Sequence, residues 1–229
     1  QPNMSEAHYN LGSIYIDHER YFDAIDALQK SIKLSPKFPI GIFNLAVCHQ
    51  QLGNFDAAIK WYQRAIEVDP NYAEAHNNLG NVYKELKNLD SAIQHYESAI
   101  RFQTENAIFH ENIANTYRQL GDMKKAAKSF EVAAKLSPTN SRILNNFGVL
   151  VEESGDINRA IDLYSKAILH QPDFAKAYNN LGNARKELGD LNLAKIAFLE
   201  AIQRDPDFKT AFGNLAALYT ATKEFDLAV

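Results

Sequence analysis

Apolar residues recur along this chain at spacings of three and four residues, in two separate runs within each stretch of 34 residues. One stretch shows both runs, with Ala75, Leu79, Val82 and Leu86 in the first and Ile93, Tyr96 and Ile100 in the second. This spacing brings the apolar side chains to one face of a helix and leaves polar ones opposite. The pattern predicts two amphipathic helices per stretch. No strand is expected, because no segment alternates with a period of two.

The sequence superimposes on itself at a shift of 34 residues, with repeats that start at residues 5, 39, 73, 107, 141, 175 and 209. Six full repeats and a partial seventh follow one another without insertion, after an N-terminal tail of residues 1–4. Such a period is typical of stacked supersecondary units, so we predict a single repeat array over residues 5–229. Repeat positions are numbered 1 to 34 from these starts.

Three repeat positions predict how the two helices of a repeat pack. Position 20 is alanine in every repeat. Position 8 holds only the smallest residues: Gly12, Ala46, Gly80, Ala114, Gly148, Gly182 and Ala216. Position 24 holds large ones: Leu28, Tyr62, Tyr96, Phe130, Tyr164 and Phe198. Small residues beside large ones predict a close approach of two helix backbones, with the large side chains filling the adjacent space.

Short polar segments separate the predicted helices. Four of them begin with glycine: Gly53-Asn54, Gly121-Asp122, Gly155-Asp156 and Gly189-Asp190. Glycine readily adopts the left-handed conformation that ends a helix. Position 32 is proline in five repeats and Thr104 in the other, and proline stops the second helix. Each repeat is therefore predicted to be a helical hairpin.

These residues resemble the tetratricopeptide repeat. The resemblance rests on Leu79, Gly80, Tyr83, Ala92, Tyr96 and Ala99 in one repeat and on Leu45, Ala46, Ala58, Tyr62, Ala65 and Pro70 in another. It implies an all-α fold, a right-handed superhelical solenoid of antiparallel helix pairs in which the first helix of each pair lines a concave groove. Members of this family mostly bind peptides or proteins.

Position 6 is asparagine in every repeat: Asn10, Asn44, Asn78, Asn112, Asn146, Asn180 and Asn214. It lies opposite the apolar face of the first helix, where a ligand in the groove would meet it. The amide offers a donor and an acceptor together, matching the N–H and C=O of one peptide unit. One interpretation is an asparagine ladder that holds an extended peptide backbone. The other is that each asparagine bonds within its own or the next repeat and stiffens the stack.

Further groove residues vary along the chain. The first two repeats offer the apolar residues Tyr9, Phe43, Ile40 and Val47. Later repeats offer polar ones: Asn77, Asn81, Lys84, Glu111, Asn115, Arg118, Asn145, Asn179, Asn183 and Lys186. This contrast predicts a peptide with an apolar anchor near one end and polar residues beyond it. The alternative is that the apolar residues pack under another helix.

Charge and composition narrow the partners. Lys plus Arg number 24 against 28 Asp plus Glu, a net charge of −4, whereas nucleic-acid binding calls for an excess of positive charge. Apolar stretches such as Leu45 to Cys48 are far shorter than the ~20 residues of a membrane span, and no signal pattern opens the sequence. We expect no nucleic acid, no membrane association, and a cytoplasmic or nuclear location.

No residue set predicts catalysis or a cofactor. Cys48 falls at an apolar position and is expected to be a buried small side chain. His8, His76 and His110 share position 4, but side chains on successive helices do not obviously converge on a metal. No phosphate-binding loop and no nucleophile beside a base are present. We therefore expect neither an enzyme nor a bound metal or cofactor in this chain.

The predicted function is an interaction scaffold that binds extended peptide segments through the asparagine ladder. Position 6 also resembles the superhelical repeat region of O-GlcNAc transferase, so the alternative is the substrate-recognition part of such a glycosyltransferase, or of another enzyme, whose catalytic domain is absent from this chain. Because repeat arrays need capping, we further expect Leu215, Leu218 and Tyr219 of the partial seventh repeat to be partly uncovered and to allow self-association, unless another chain or a continuation of this one packs there.

Overall fold

The computed structural model describes residues 2–222, with the side chains of residues 4–221. This part of the chain is helical, without strands, and its helices are α1 (Pro2–Asp17), α2 (Tyr21–Leu34), α3 (Pro39–Gln51), α4 (Phe55–Val68), α5 (Ala73–Glu85), α6 (Leu89–Phe102), α7 (Ala107–Leu120), α8 (Met123–Leu136), α9 (Ser141–Glu153), α10 (Ile157–His170), α11 (Ala175–Glu187), α12 (Leu191–Arg204) and α13 (Lys209–Thr222). Helix α1 begins inside the segment predicted as a tail. Gln1 and residues 223–229, with Ala228 of the all-alanine position, lie outside the described residues.

The chain divides into two compact units, Gln1–Thr116 and Tyr117–Val229. In the first unit α1 packs on α2, α3 on α4 and α5 on α6, and α2 also packs on α3 and α4 on α5. In the second unit α9 packs on α10 and α11 on α12, while α8 packs on α9 and α12 on α13. The predicted all-α series of helix pairs is confirmed.

In the hairpins with glycine at position 8, the contact between positions 8 and 24 holds the two helices together. A Cβ atom added to Gly80 would lie 2.7 Å from Cε1 of Tyr96, and one added to Gly182 would lie 2.5 Å from Cε1 of Phe198. Both aromatic side chains are fully buried. The alanines at position 20 are fully buried as well, at Ala24, Ala58, Ala92, Ala126, Ala160 and Ala194. The packing predicted for these positions is therefore confirmed.

The turn within each hairpin depends on a left-handed residue at position 15. The four glycines there have φ between 73° and 88°. The first and third repeats place a larger residue at this position, and it adopts the same conformation: φ is 57° at Glu19 and 61° at Lys87. The next residue often caps the second helix, as where the side chain of Asn88 accepts a hydrogen bond from the backbone N–H of Ser91.

The partial exposure expected at the seventh repeat is not observed. Leu215, Leu218 and Tyr219 are only 8%, 2% and 7% exposed. They lie on the face of α13 that packs against Ala194 and Phe198 of α12, and this packing contributes to their burial.

Position 14 also differs from its assignment to the apolar face. Leu86 and Leu188 are nearly half exposed there. Each is the first residue after its helix, where the chain turns away from the packed face.

Replacing Lys87 with glycine should stabilise the fold. A left-handed conformation costs a residue with a Cβ atom about 1–2 kcal/mol, and glycine avoids this cost at the expense of a more flexible unfolded chain. We expect Lys87→Gly to raise the free energy of unfolding by about 0.5–1 kcal/mol in urea denaturation. Gly155→Ala, with φ of 88° at the same repeat position, should lower it. Loss of stability in Lys87→Gly would contradict the assigned strain.

Two histidines predict how stability depends on pH. Nδ1 of His95 lies 3.4 Å from Nδ1 of His76, and the ring of Tyr83 stacks on His95. Burial, and secondarily the neighbouring His76, lowers the pKa of His95 from 6.5 to about 4. Between these values the unfolded chain takes up a proton that the folded chain does not. The stability that His95 contributes is therefore complete above pH 6.5 and is lost as the pH falls towards 4.

Urea denaturation at a series of pH values measures this effect. We expect the free energy of unfolding to decrease as the pH falls through that window, and His95→Gln should reduce the decrease. An identical pH dependence in the variant and the unchanged chain would show that His95 is not responsible.

Candidate functional site

The predicted binding residues all lie on the first helices of the repeats. We call the surface formed by repeat positions 6, 9 and 12 the first-helix face; beyond the asparagines of position 6 it contains Asn81, Asn115, Asn183, Lys84, Arg118 and Lys186. Asn10 and Lys186 are exposed, and the other members named are half-buried. Each unit thus carries a set of polar side chains within reach of solvent on consecutive first helices.

Asparagines of successive repeats are joined by hydrogen bonds. In three places Nδ2 at position 6 donates to Oδ1 at position 5 of the preceding repeat: Asn112 to Asn77 at 2.8 Å, Asn180 to Asn145 at 2.9 Å and Asn214 to Asn179 at 2.8 Å. The first bond lies in the first unit and the other two in the second. These bonds are of the kind that the stiffening interpretation requires.

The chain of hydrogen bonds continues beyond the asparagine pairs. Asn77 donates to Oδ1 of Asn78 at 3.1 Å, and Asn78 donates to the Tyr62 hydroxyl at 3.4 Å. That hydroxyl donates in turn to Oε1 of Gln50 at 2.7 Å. Asn78 uses Tyr62 because the position-5 residue of the preceding repeat is Phe43, which offers no side-chain acceptor. Burial raises the pKa of Tyr62, which keeps its hydroxyl protonated.

Position 5 does not line the groove as expected. Asn77, Asn145 and Asn179 are buried, and so is Glu111. A buried amide needs hydrogen-bond partners, and the next repeat supplies one for each of the three asparagines. The sequence contains the signal for this arrangement, since asparagines at positions 5 and 6 of adjacent repeats stand 35 residues apart.

Positions 9 and 12 are also partly engaged with neighbours. Tyr96 donates its hydroxyl proton to Oδ1 of Asn81 at 2.7 Å. Asn115 donates to the backbone carbonyl of Glu111 at 3.0 Å. Arg118 forms an ion pair of 3.6 Å with Glu153 of the next first helix. These contacts hold the side chains in defined orientations while leaving them half-exposed.

The apolar end of the first unit forms aromatic pairs. The ring of Tyr9 meets Phe38 edge to face at 5.0 Å between centroids, and Phe43 lies 5.0 Å from Tyr72. A pocket of about 290 Å³ opens beside Tyr9 and is lined by Ser5, Glu6, Tyr9, Asn10, Ser35 and Phe38. Tyr9 and Phe43 are half-buried, so part of each side chain remains available.

Cys48 is buried, as predicted. Its thiol packs among Ala24, Leu28 and Leu45, and burial raises its pKa to about 11. A thiol with so high a pKa carries little thiolate at neutral pH and makes a poor nucleophile.

Among the described residues, no three histidine, cysteine, aspartate or glutamate side chains come close enough together to hold a metal ion. Along residues 2–222, no helix combines the length and apolar character that crossing a membrane requires.

The fold and this face define a class of protein, the helical-hairpin repeat protein with a polar first-helix face. Family models described as tetratricopeptide or TPR repeats match residues 5–38, 50–87, 71–138, 152–189 and 175–208. The chain belongs to the tetratricopeptide repeat family. A comparison with curated protein sequences found no match.

Solved structures share the fold at low sequence identity. A structure from a functional study of Pseudomonas aeruginosa pilF is 20% identical with a TM-score of 0.81, covering 94% of this chain and 98% of that one. YrrB, described as a TPR protein with an unusual peptide-binding site, is 23% identical with a TM-score of 0.65, covering 82% of this chain and 97% of its own. The APC/C hetero-tetramer Cut9–Hcn1 includes a chain that is 18% identical with a TM-score of 0.79, covering 95% of this chain and 43% of that one.

The bond between Asn112 and Asn77 should be measurable as a coupling free energy. A double-mutant cycle with Asn112→Ala and Asn77→Ala removes the effects of each single substitution on helix propensity. We expect a coupling of about 0.5–1.5 kcal/mol in the free energy of unfolding. The pair Asn10→Ala and Asn77→Ala is the control and should show no coupling. Additivity in both cycles would mean that the bond contributes nothing.

Proposed function

We propose that this chain is an interaction scaffold whose first-helix face binds extended peptide segments through the amides of position 6. The observation that carries the proposal is the incomplete hydrogen bonding of the Asn78 amide. Its amide is half-buried, accepts one hydrogen bond from Asn77 and donates one to Tyr62. A primary amide has two N–H donors and two acceptor lone pairs. One donor and one lone pair of Asn78 are therefore left for a ligand.

An asparagine at position 6 can bond to the preceding repeat and bind a peptide at the same time, so the two interpretations of these asparagines are compatible. A bond to the preceding repeat uses one N–H of the position-6 amide and fixes its orientation. An amide held in place loses less conformational entropy when a peptide binds than a mobile one would. The hydrogen bonds between repeats thus favour recognition of a peptide backbone instead of competing with it.

The spacing of the repeats supports an extended ligand. Packed helices lie roughly 8–10 Å apart, and an extended chain advances about 3.3 Å per residue. One asparagine per repeat would then address about every third peptide residue. Backbone recognition of this kind does not depend on the peptide's side chains, so selectivity must come from other positions.

The pocket beside Tyr9 is suited to provide that selectivity in the first unit. Its wall combines the Tyr9 and Phe38 rings with the polar side chains of Ser5 and Asn10. We propose that it receives an aromatic or aliphatic side chain of the peptide, while Lys84 of the same unit contacts polar residues farther along. We propose the same kind of contact for Arg118 and Lys186 within the second unit.

Two of the similar structures are consistent with a binding role. YrrB is described as having a peptide-binding site, and Cut9–Hcn1 is an assembly of several chains. A role as the substrate-recognition region of a glycosyltransferase stays the second prediction, because the same amides would hold a substrate segment in the same way.

Matched variants in the second unit test the ladder. Asn180→Ala with Asn214→Ala removes two bonds between repeats together with two half-exposed amides. Asn145→Ala with Asn179→Ala removes the same two bonds from their buried side and leaves the half-exposed amides in place. We expect the first pair to weaken peptide binding by about 1–3 kcal/mol, or roughly 5- to 150-fold in Kd. The second pair should weaken it less, because it removes the bonds that orient the amides and keeps the amides themselves.

Peptides selected from a random display library provide the ligand, and titration calorimetry measures Kd for both pairs. Equal loss of affinity in the two double variants would mean that stiffness alone matters. Failure to select any peptide with the unchanged chain would contradict the scaffold function itself.

A further inference from the structure

A second surface lies mainly on the second helices of the fourth and fifth repeats. It shares no residue with the first-helix face. Helices α8 and α10 both pack against α9, and a groove with a volume of about 930 Å³ lies between them. Its floor and walls are apolar and consist of Val132, Ala134, Leu144, Phe147, Leu163 and Leu169. We call this the α8–α10 groove.

The groove exists because these repeats depart from the pattern of the others. Position 28 is isoleucine in five repeats, at Ile32, Ile66, Ile100, Ile168 and Ile202, but is Ala134 here. The missing side-chain carbons leave space at the wall of the groove. One substitution that restores the common residue should therefore fill part of it.

Two other departures replace polar residues by apolar ones. Position 26 is Val132 in the fourth repeat but Lys, Arg, Ser or Glu in the other complete repeats. Position 29 is Lys, Glu, Arg or Gln elsewhere, whereas it is Leu169 on α10, with 74% of the residue exposed. Both residues line the same groove. An exposed apolar side chain beside an open apolar groove marks a surface for another molecule.

The rim of the groove is basic. Lys128 and Lys135 of α8 and Arg159 and Lys166 of α10 lie around it, with Glu131 as the single acidic side chain lining it. Arg159 pairs with Glu131 and Lys166 with Asp162. Lys128 and Lys135 have no ion-pair partner within the described residues. This local excess of positive charge contrasts with the net charge of −4 of the whole chain.

We infer that the α8–α10 groove docks an acidic amphipathic helix of a partner protein. A groove between two helices accepts the apolar face of a third helix through residues at i, i+3, i+4 and i+7. Lys128 and Lys135 are seven residues apart, which at 1.5 Å per residue places them about 10.5 Å apart along α8. Two acidic residues that stand seven residues apart on the docked helix, beside its apolar face, match that separation. The charge of the rim and the spacing of the two lysines therefore both favour an acidic amphipathic helix.

The test uses a labelled, helix-forming peptide of roughly 18 residues, with leucines at i, i+3, i+4 and i+7 and glutamates on both flanks of that stripe. Fluorescence anisotropy measures its binding to the whole chain. We expect binding that weakens about tenfold or more in Ala134→Ile and in the double variant Lys128→Glu with Lys135→Glu. A peptide with lysines in place of the glutamates should bind the unchanged chain at least about tenfold more weakly.

Control variants separate the groove from general charge. Lys33→Glu with Lys60→Glu changes the same repeat positions, 29 and 22, in other repeats and alters the net charge by the same amount. This control should leave peptide affinity unchanged. Circular dichroism melting checks each fold, and Ala134→Ile is expected to fold because five other repeats have isoleucine at that position.

Three results would overturn the proposal. One is no peptide binding, or binding that the groove variants and the control variants weaken equally. Another is sedimentation of the chain with phosphatidylserine vesicles, abolished by the lysine reversals, without peptide binding, which would assign the groove to a lipid surface. The third is dimer formation in analytical ultracentrifugation, abolished by Ala134→Ile, without peptide binding, which would assign it to a second copy.

Discussion

The contact between a small residue at position 8 and a large one at position 24 is the constraint on which the other features depend. A Cβ atom at residue 80 would lie only 2.7 Å from Cε1 of Tyr96. Because Gly80 has no Cβ atom, the Tyr96 ring fits there and the two helices of the hairpin come close together. This approach fixes the rotation of each first helix. In this repeat it turns Leu79 towards the core and leaves Asn78 half-exposed. A larger residue at position 8 would displace the face on which recognition is proposed, even without touching it.

Polar side chains use the surface that this packing leaves. The Asn112–Asn77 bond joins two hairpins, and the Tyr62 hydroxyl extends the same network from a second helix to a first one. Adjacent repeats are therefore held together by directional contacts as well as by apolar packing, which is not directional. In a nearly one-dimensional array, where each repeat contacts only its neighbours, such contacts help to fix the register of one repeat on the next.

Most of the fold could be predicted from the sequence because its signals are periodic. The all-alanine position, the small residue at position 8 and the glycines at position 15 each have one local physical meaning. The burial of Asn145 could not be read from periodicity alone, since polarity suggested solvent and only its partner 35 residues later, Asn180, explains it. The place of Leu218 in the partial repeat predicts exposure, whereas in the structure Leu218 packs against α12. The α8–α10 groove could not be predicted from the sequence alone. Its departures from the repeat pattern are visible there, but only the structure shows that these residues lie together.

The single cysteine gives the chain an internal reporter of local opening. Cys48 is on α3, fully buried, with a thiol that remains protonated at neutral pH. Alkylating reagents attack a solvent-accessible thiolate. Modification therefore requires the α3–α4 hairpin to separate from its neighbours, and no other sulfhydryl contributes to the signal. The labelling rate relative to that of an unstructured thiol gives the equilibrium constant for that opening. This constant gives the free energy of local opening of the second repeat.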